Sequence, residues 1–228
     1  MSPRDPFAVI AVSLARGCRR RKVSCFAALG DSFTAGHGCP PHLRWADRLA
    51  ASLRVCQPGL EYHNLAVDGA TSAEVIEQVG PAIQLEPDVV TIVCGANDVL
   101  LTVRPDLEGY ARNLTLILDH LAAALPRVAI LTATSPERWR FLDLGPRTRA
   151  RVARGIQGLN DTTRAVAASR SVPVLDVVDH PGLDEPENFL DDGLHPSPTG
   201  HARAALEFAA ALREHFGIES RTTSEVKT

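Results

Sequence analysis

Five short apolar runs, separated by longer amphipathic segments, constrain the fold of this chain more than any other feature. They are SCFAALG (24–30), LEYHNLA (60–66), PDVVTIVCG (87–95), RVAILTA (127–133) and SVPVLDVV (171–178). Short runs rich in Val, Ile and Leu fit strands buried on both faces. The segments between them carry helical periodicity. In 41–55, Leu43, Ala46, Leu49, Ala50 and Leu53 share one face. In 105–125, Leu107, Tyr110, Leu114, Ile117, Leu118 and Leu121 do the same, with Pro105 at an early helical position. Two more helices are predicted over 147–168 and from about Thr199 to Phe216, the last stopped by Gly217. Alternating strands and helices with short links predict one α/β domain. Its sheet is parallel and five-stranded, with right-handed crossovers and helices on both faces.

Composition agrees with one such unit. The chain has 228 residues, 45% of them hydrophobic, which is enough for a sizeable core. The formal net charge of -3 argues against bulk nucleic-acid binding. The one basic cluster, RGCRRRK (16–22), reads as a solvated arm. Residues 1–23 are read as a basic N-terminal extension, 24–217 as the folded α/β domain and 218–228 as a polar, disordered tail. Five cysteines without C-x-x-C spacing fit reduced thiols better than a disulfide scaffold or zinc site. No run approaches the ~20 apolar residues that span a bilayer. The apolar run 7–15 is followed, not preceded, by most of its basic residues, which is the wrong order for a secretion signal. The expectation is a cytoplasmic protein, with export as the lesser alternative. The oligomeric state is left open, a monomer being compatible with the sequence.

In open parallel sheets, ligands bind beyond the carboxyl ends of the strands. Four polar clusters lie there. The first strand ends in Gly30-Asp31-Ser32, and the second leads to Gly69 in NLAVDG. The third leads to Asn97 and Asp98 in GAND, and the last helix is preceded by DDGLHPSPTGH (191–201). A serine alone in such a place is a helix cap. Together the clusters suit acyl transfer. Ser32 is a poor nucleophile until a base takes its proton, and His195 can be that base. Asp192, three residues earlier, can hold the other ring nitrogen, with Asp191 as the rival. The N–H groups of Ser32 and Gly69 and the Asn97 amide are candidate donors to an oxyanion.

Other readings accompany these. Asp191, Asp192, His195 and His201 form a carboxylate and imidazole set that could hold a metal, the lesser alternative. His201 is expected to cap or pack a helix, and Asp31 and Asp98 to hold loops through backbone hydrogen bonds. His37 lies near the serine turn and is a possible substrate contact. Trp139 and Phe141, in the arginine-flanked segment after the fourth strand, are either packing residues or a wall of the substrate pocket.

The blocks GDSF (30–33), NLAVDG (64–69), GAND (95–98) and DGLHPSPTGH (192–201) resemble, in order and spacing, the signature blocks of the SGNH (GDSL-type) hydrolases. Phe33 stands where the namesake motif has Leu. The resemblance runs from about Ser24 to Phe216. It implies a flavodoxin-like three-layer α/β/α sandwich, the SGNH hydrolase fold. It also implies Ser32, Asp192 and His195 as the triad, and Ser32, Gly69 and Asn97 as the oxyanion hole. The expected activity is a serine esterase cleaving a small carboxylic ester or thioester through an acyl-serine, with no cofactor and no metal. The alternative is an acyltransferase or metabolite-tailoring enzyme with an alcohol in place of water.

Overall fold

The computed structural model describes residues 21–137 and 139–221. The expectations for the N-terminal extension before residue 21 and for the tail from 222 on lie outside the described residues.

Along the chain run β1 (Cys25–Gly30), α1 (Ser32–Ala35), α2 (Trp45–Cys56), β2 (Glu61–Asn64), α3 (Ser72–Gln84) and β3 (Val89–Val93). Then come α4 (Ala96–Leu100), α5 (Leu107–Ala124), β4 (Ala129–Ala133), α6 (Pro146–Ala168), β5 (Val174–Leu175) and α7 (Pro198–Phe216). The sheet is parallel throughout, in the order β2-β1-β3-β4-β5. The five-stranded α/β fold expected from the sequence is present.

The pleat of β1 sorts its side chains between two cores. Phe26 and Ala28 face a cluster with Trp45 and Leu49 of α2 and Phe208 and Leu212 of α7. Ala27 and Leu29 face the other cluster, with Val79 of α3, Ile117 of α5 and Ile156 of α6. Successive strand residues point to opposite faces, so a central strand with helices on both sides must be apolar at every position. All six residues of β1 are buried.

Two elements differ from the sequence reading. α3 is absent from that reading because Gly80 and Pro81 interrupt its pattern, yet the helix continues through Pro81. Its start carries a readable signal, a reciprocal capping box in which Thr71 and Glu74 bond each other's backbone N–H. The fifth strand shrinks from the expected 171–178 to two residues. Pro173 can give no N–H to a ladder. Beyond Leu175, the Asp176 carboxylate instead accepts from the Thr134 hydroxyl and the Arg164 guanidinium.

The domain also reaches past the boundaries read from sequence. Val23 is buried, and so is Ile218, which the sequence reading assigned to the tail. Ile218 joins the α7 core, and Arg221 N–H donates to Ser52 O at 3.1 Å. No helix among the described residues is long and apolar enough to cross a membrane.

The strand order reverses between β1 and β3, because the chain leaves β1 toward β2 on one side and returns to β3 on the other. Loops leaving the carboxyl ends of these neighbours part there and open a crevice. Ser32 follows β1 and Asn97 follows β3, so both stand at its mouth.

Candidate active site

β1 ends at Gly30 with φ +147°, where an added Cβ would lie 2.2 Å from Val93 O. Only glycine fits this turn. The next residue, Asp31, caps α1 by accepting the Phe33 N–H at 3.0 Å. The helix is one turn long and closes on Gly36 at φ +77°. Ser32 is therefore held at the strand tip by a cap on one side and a left-handed glycine on the other. Asp31 is almost fully buried. Burial, seconded by the charges of Asp98 and Asp68, pushes its carboxyl up to about 7 against the backbone N–H that favours the anion.

Ser32 Oγ lies 3.0 Å from His195 Nε2, and His195 Nδ1 lies 2.7 Å from Asp192 Oδ2. The other Asp192 oxygen accepts the N–H groups of Leu194 and His195 at 2.8 and 2.9 Å. Burial opposes the Asp192 charge. The bonds from the His195 ring and from these two N–H groups outweigh it, so the carboxyl sits below its ordinary value. The turn between them passes through Gly193 at φ +68°. Asp191, the rival carboxylate, is exposed and makes no bond to the imidazole.

The loops after β2 and β3 are tied together beside Ser32. Asp98 accepts the Ser72 N–H at 2.8 Å and the Ser72 hydroxyl at 2.5 Å, and Asn113 donates to the same hydroxyl. Asn97 donates one amide hydrogen to Ala70 O at 2.9 Å. The N–H groups of Ser32 and Gly69 find no acceptor among the described residues. Gly69 takes φ +80°, and nothing lies within 4 Å of where its Cβ would be, so its backbone is open to approach.

Ser32 and Asn97 line a cavity of about 160 Å³. Val93, Ala133, Trp139, Leu175 and Phe208 line it as well. Arg149 fixes the Trp139 loop by donating to the carbonyls of Trp139 and Leu142, while Arg140 pairs with Asp184 at 2.9 Å. Phe141 does not line the cavity. Its ring meets Phe189 at 5.3 Å instead.

His37 lies on the other side of His195. The two imidazoles stack with centroids 4.1 Å apart. His37, Asp192 and His195 bring one ligand atom each within 4.8 Å of one another. Stacked rings carry their lone pairs side by side, so both imidazoles would have to turn before a metal could meet them together. His201, grouped with this set in the sequence, is elsewhere. It is fully buried, and its Nδ1 accepts the Trp45 N–H at the start of α2.

Sequence reading missed Gln78 of α3, which holds both backbone groups of Gly30 at 2.8 Å. It also missed Asp68, whose Oδ2 lies 2.5 Å from His37 Nδ1. The only signal for Gln78 was the capping box of its helix. Asp68 sits one residue before Gly69 in a loop without periodicity.

Known proteins are similar to this chain in sequence or in fold. An arylesterase of Vibrio mimicus is 24% identical over 191 residues, covering 82% of this chain and 88% of its own. The crystal structure of a psychrotrophic esterase from Pseudoalteromonas sp., inhibited by monoethylphosphonate, superposes with a TM-score of 0.68. It is 18% identical and covers 85% of this chain and 99% of that one. A lipase/acylhydrolase from Enterococcus faecalis superposes with a TM-score of 0.67 at 24% identity, covering 83% and 95%. The model of the GDSL-like Lipase/Acylhydrolase family matches residues 28–203, from inside β1 into α7. The chain thus belongs to the GDSL-like lipase/acylhydrolase family and is an ester-hydrolysing enzyme.

Proposed function

We propose that the chain is a serine esterase that cleaves a small carboxylic ester or thioester through an acyl-Ser32 intermediate. The observation that carries this reading is the continuous hydrogen-bonded line from Ser32 Oγ through His195 to Asp192, at 3.0 and 2.7 Å. His195 Nε2 takes the Ser32 proton as Oγ attacks the acyl carbon. Asp192 holds the imidazole by Nδ1 and stabilises its cation. The negative charge on the former carbonyl oxygen falls to the N–H groups of Ser32 and Gly69 and the second amide hydrogen of Asn97.

The bond to the alcohol oxygen or thiol sulfur then breaks, and His195 returns the proton to that atom. Water repeats the sequence in reverse and frees the acid. The apolar cavity beside Ser32 suits the acyl group, because each CH₂ buried there contributes about 0.8 kcal/mol.

A fluorophosphonate probe tests the reading. Ser32 Oγ displaces fluoride and forms one stable adduct, located by peptide mass. The Ser32→Ala protein takes no label and loses the burst of product from an activated acyl ester. Full activity in Ser32→Ala would sink the proposal.

A further inference from the structure

A second histidine–carboxylate pair lies against the first. His37 follows α1, and its Nδ1 bonds Asp68 Oδ2. The ring stacks on the His195 face at 4.1 Å. Behind this pair opens a cleft distinct from the apolar cavity, lined by Gly36, His37, Arg44, Asn64, Ala66 and Asp68. We propose that this cleft is the subsite for the alcohol portion of the ester and that it selects a neutral, polyhydroxylated alcohol. The proposal rests on the serine-esterase reading.

Position comes first. The leaving oxygen must come within reach of His195 Nε2 to receive its proton. The acyl group occupies the cavity on the other side of Ser32. Whatever is bonded to the leaving oxygen therefore extends toward the side of His195 on which His37 stacks.

Chemistry comes second. The cleft holds unused donors and unused acceptors together. Arg44 spends its Nε on Cys39 O at 3.0 Å, while its two terminal nitrogens find no partner among the described residues. Asp68 has one oxygen on His37 and the other without a partner there. His37 Nε2 is likewise unpaired. Asn64 offers little, because Thr34 O and Ala66 N–H already occupy its amide.

An anionic alcohol meets Asp68, and a cationic one meets Arg44. Hydroxyl groups both donate and accept, so vicinal hydroxyls can use both residues at once. The hydrogen bond to Asp68 also raises the His37 imidazole above its ordinary value. His37 Nε2 accepts from a hydroxyl when neutral and donates to one when protonated, so the match survives either state.

The asymmetry of the two sides then defines the substrate class, an apolar acyl group on a sugar or glycerol hydroxyl. A simple alkyl ester leaves the cleft to water and gains nothing from it.

The test compares butanoate esters of 1-propanol, glycerol and methyl glucoside at one acyl length. Propyl and glyceryl esters differ only by two hydroxyls. The wild type is expected to favour a hydroxylated ester at least ten-fold in kcat/KM over the propyl ester, and the better of the two names the framework. His37→Phe keeps an aromatic ring on His195 but removes the hydrogen bonds. Asp68→Asn removes the charge. Each is expected to cut that ratio at least five-fold, mainly through KM.

A wild-type ratio near one overturns the subsite. So does an equal loss on all three esters in both variants, which indicates a merely structural role for the pair. Absence of a fluorophosphonate adduct on Ser32, with full activity on p-nitrophenyl butanoate in Ser32→Ala, instead overturns the serine-esterase reading, and the subsite with it.

Discussion

Gln78 grips the last residue of β1 by both of its backbone groups. Its Oε1 accepts the Gly30 N–H and its Nε2 donates to Gly30 O, each at 2.8 Å. A side-chain amide thus stands in for a neighbouring strand two residues before Ser32. In Gln78→Leu the buried N–H loses its acceptor, while the carbonyl keeps the Val67 N–H at 3.1 Å. An orphaned buried donor costs about 1–3 kcal/mol. The expected outcome is that loss in urea unfolding, together with a kcat decrease of about ten-fold from a displaced Ser32. Unchanged stability and unchanged kcat would remove Gln78 from the supporting structure.

Trp139 lines the cavity beside Ser32. Replacing it with Ala removes a large apolar wall and lengthens the space. The kcat/KM for short acyl esters is expected to fall about 5- to 30-fold, the equivalent of about 1–2 kcal/mol of lost contact. The preferred chain is expected to lengthen by a few CH₂ groups. A series of p-nitrophenyl esters of graded length checks this. An unaltered length profile makes Trp139 a packing residue of the loop it shares with Arg149.

Much of this site was legible because the sheet needs continuous apolar strands and the chemistry needs polar residues at their ends. β1, β3 and β4 are buried at every position, so their sequence runs stand out. Ser32, Asn97, Asp192 and His195 follow strands or precede a helix, where the fold puts ligands. What escaped depends on contacts between distant residues. Gln78 meets Gly30 across 48 positions, and Asp68 meets His37 across 31. Neither partner carries a local pattern. The short β5 escaped for a different reason. Its apolar run satisfies a strand template, but Pro173 and the Asp176–Arg164 pair end the ladder early. Phe141 was indistinguishable from Trp139 in sequence, since only packing decides that one faces the cavity and the other faces Phe189.

Asn97 offers an amide hydrogen beside Ser32 while its other hydrogen is anchored on Ala70 O. Loss of one oxyanion donor costs about 2.7–4 kcal/mol in the transition state, or roughly 10²- to 10³-fold in kcat. Asn97→Ala is expected to show that loss with KM changed by less than about three-fold, because the ground-state ester gains little from the donor. Steady-state kinetics on an activated ester checks it. A kcat within three-fold of wild type would remove Asn97 from the proposed oxyanion hole.

His201 ties stability to pH. It is fully buried, and its Nδ1 accepts the Trp45 N–H at 3.2 Å, so the proton of the neutral ring is on Nε2. Burial first, then the charges of Arg48, Arg44 and His195, bring its pKa down to about 4 from an ordinary 6.5. The unfolded chain therefore binds a proton at His201 that the folded chain refuses throughout that window. Stability from this residue is complete above pH 6.5 and is lost as the pH falls toward 4, to a limit of about 3 kcal/mol. His201→Asn keeps an acceptor for Trp45 but cannot titrate. It is expected to be less stable than wild type at pH 7.5, through lost packing against Phe33 and Trp45, and to lose less on acidification. Urea unfolding of both proteins at pH 7.5, 6, 5 and 4.5 measures the gap between the two curves. The gap should narrow steadily below pH 6.5, and parallel curves would remove His201 as the titrating group.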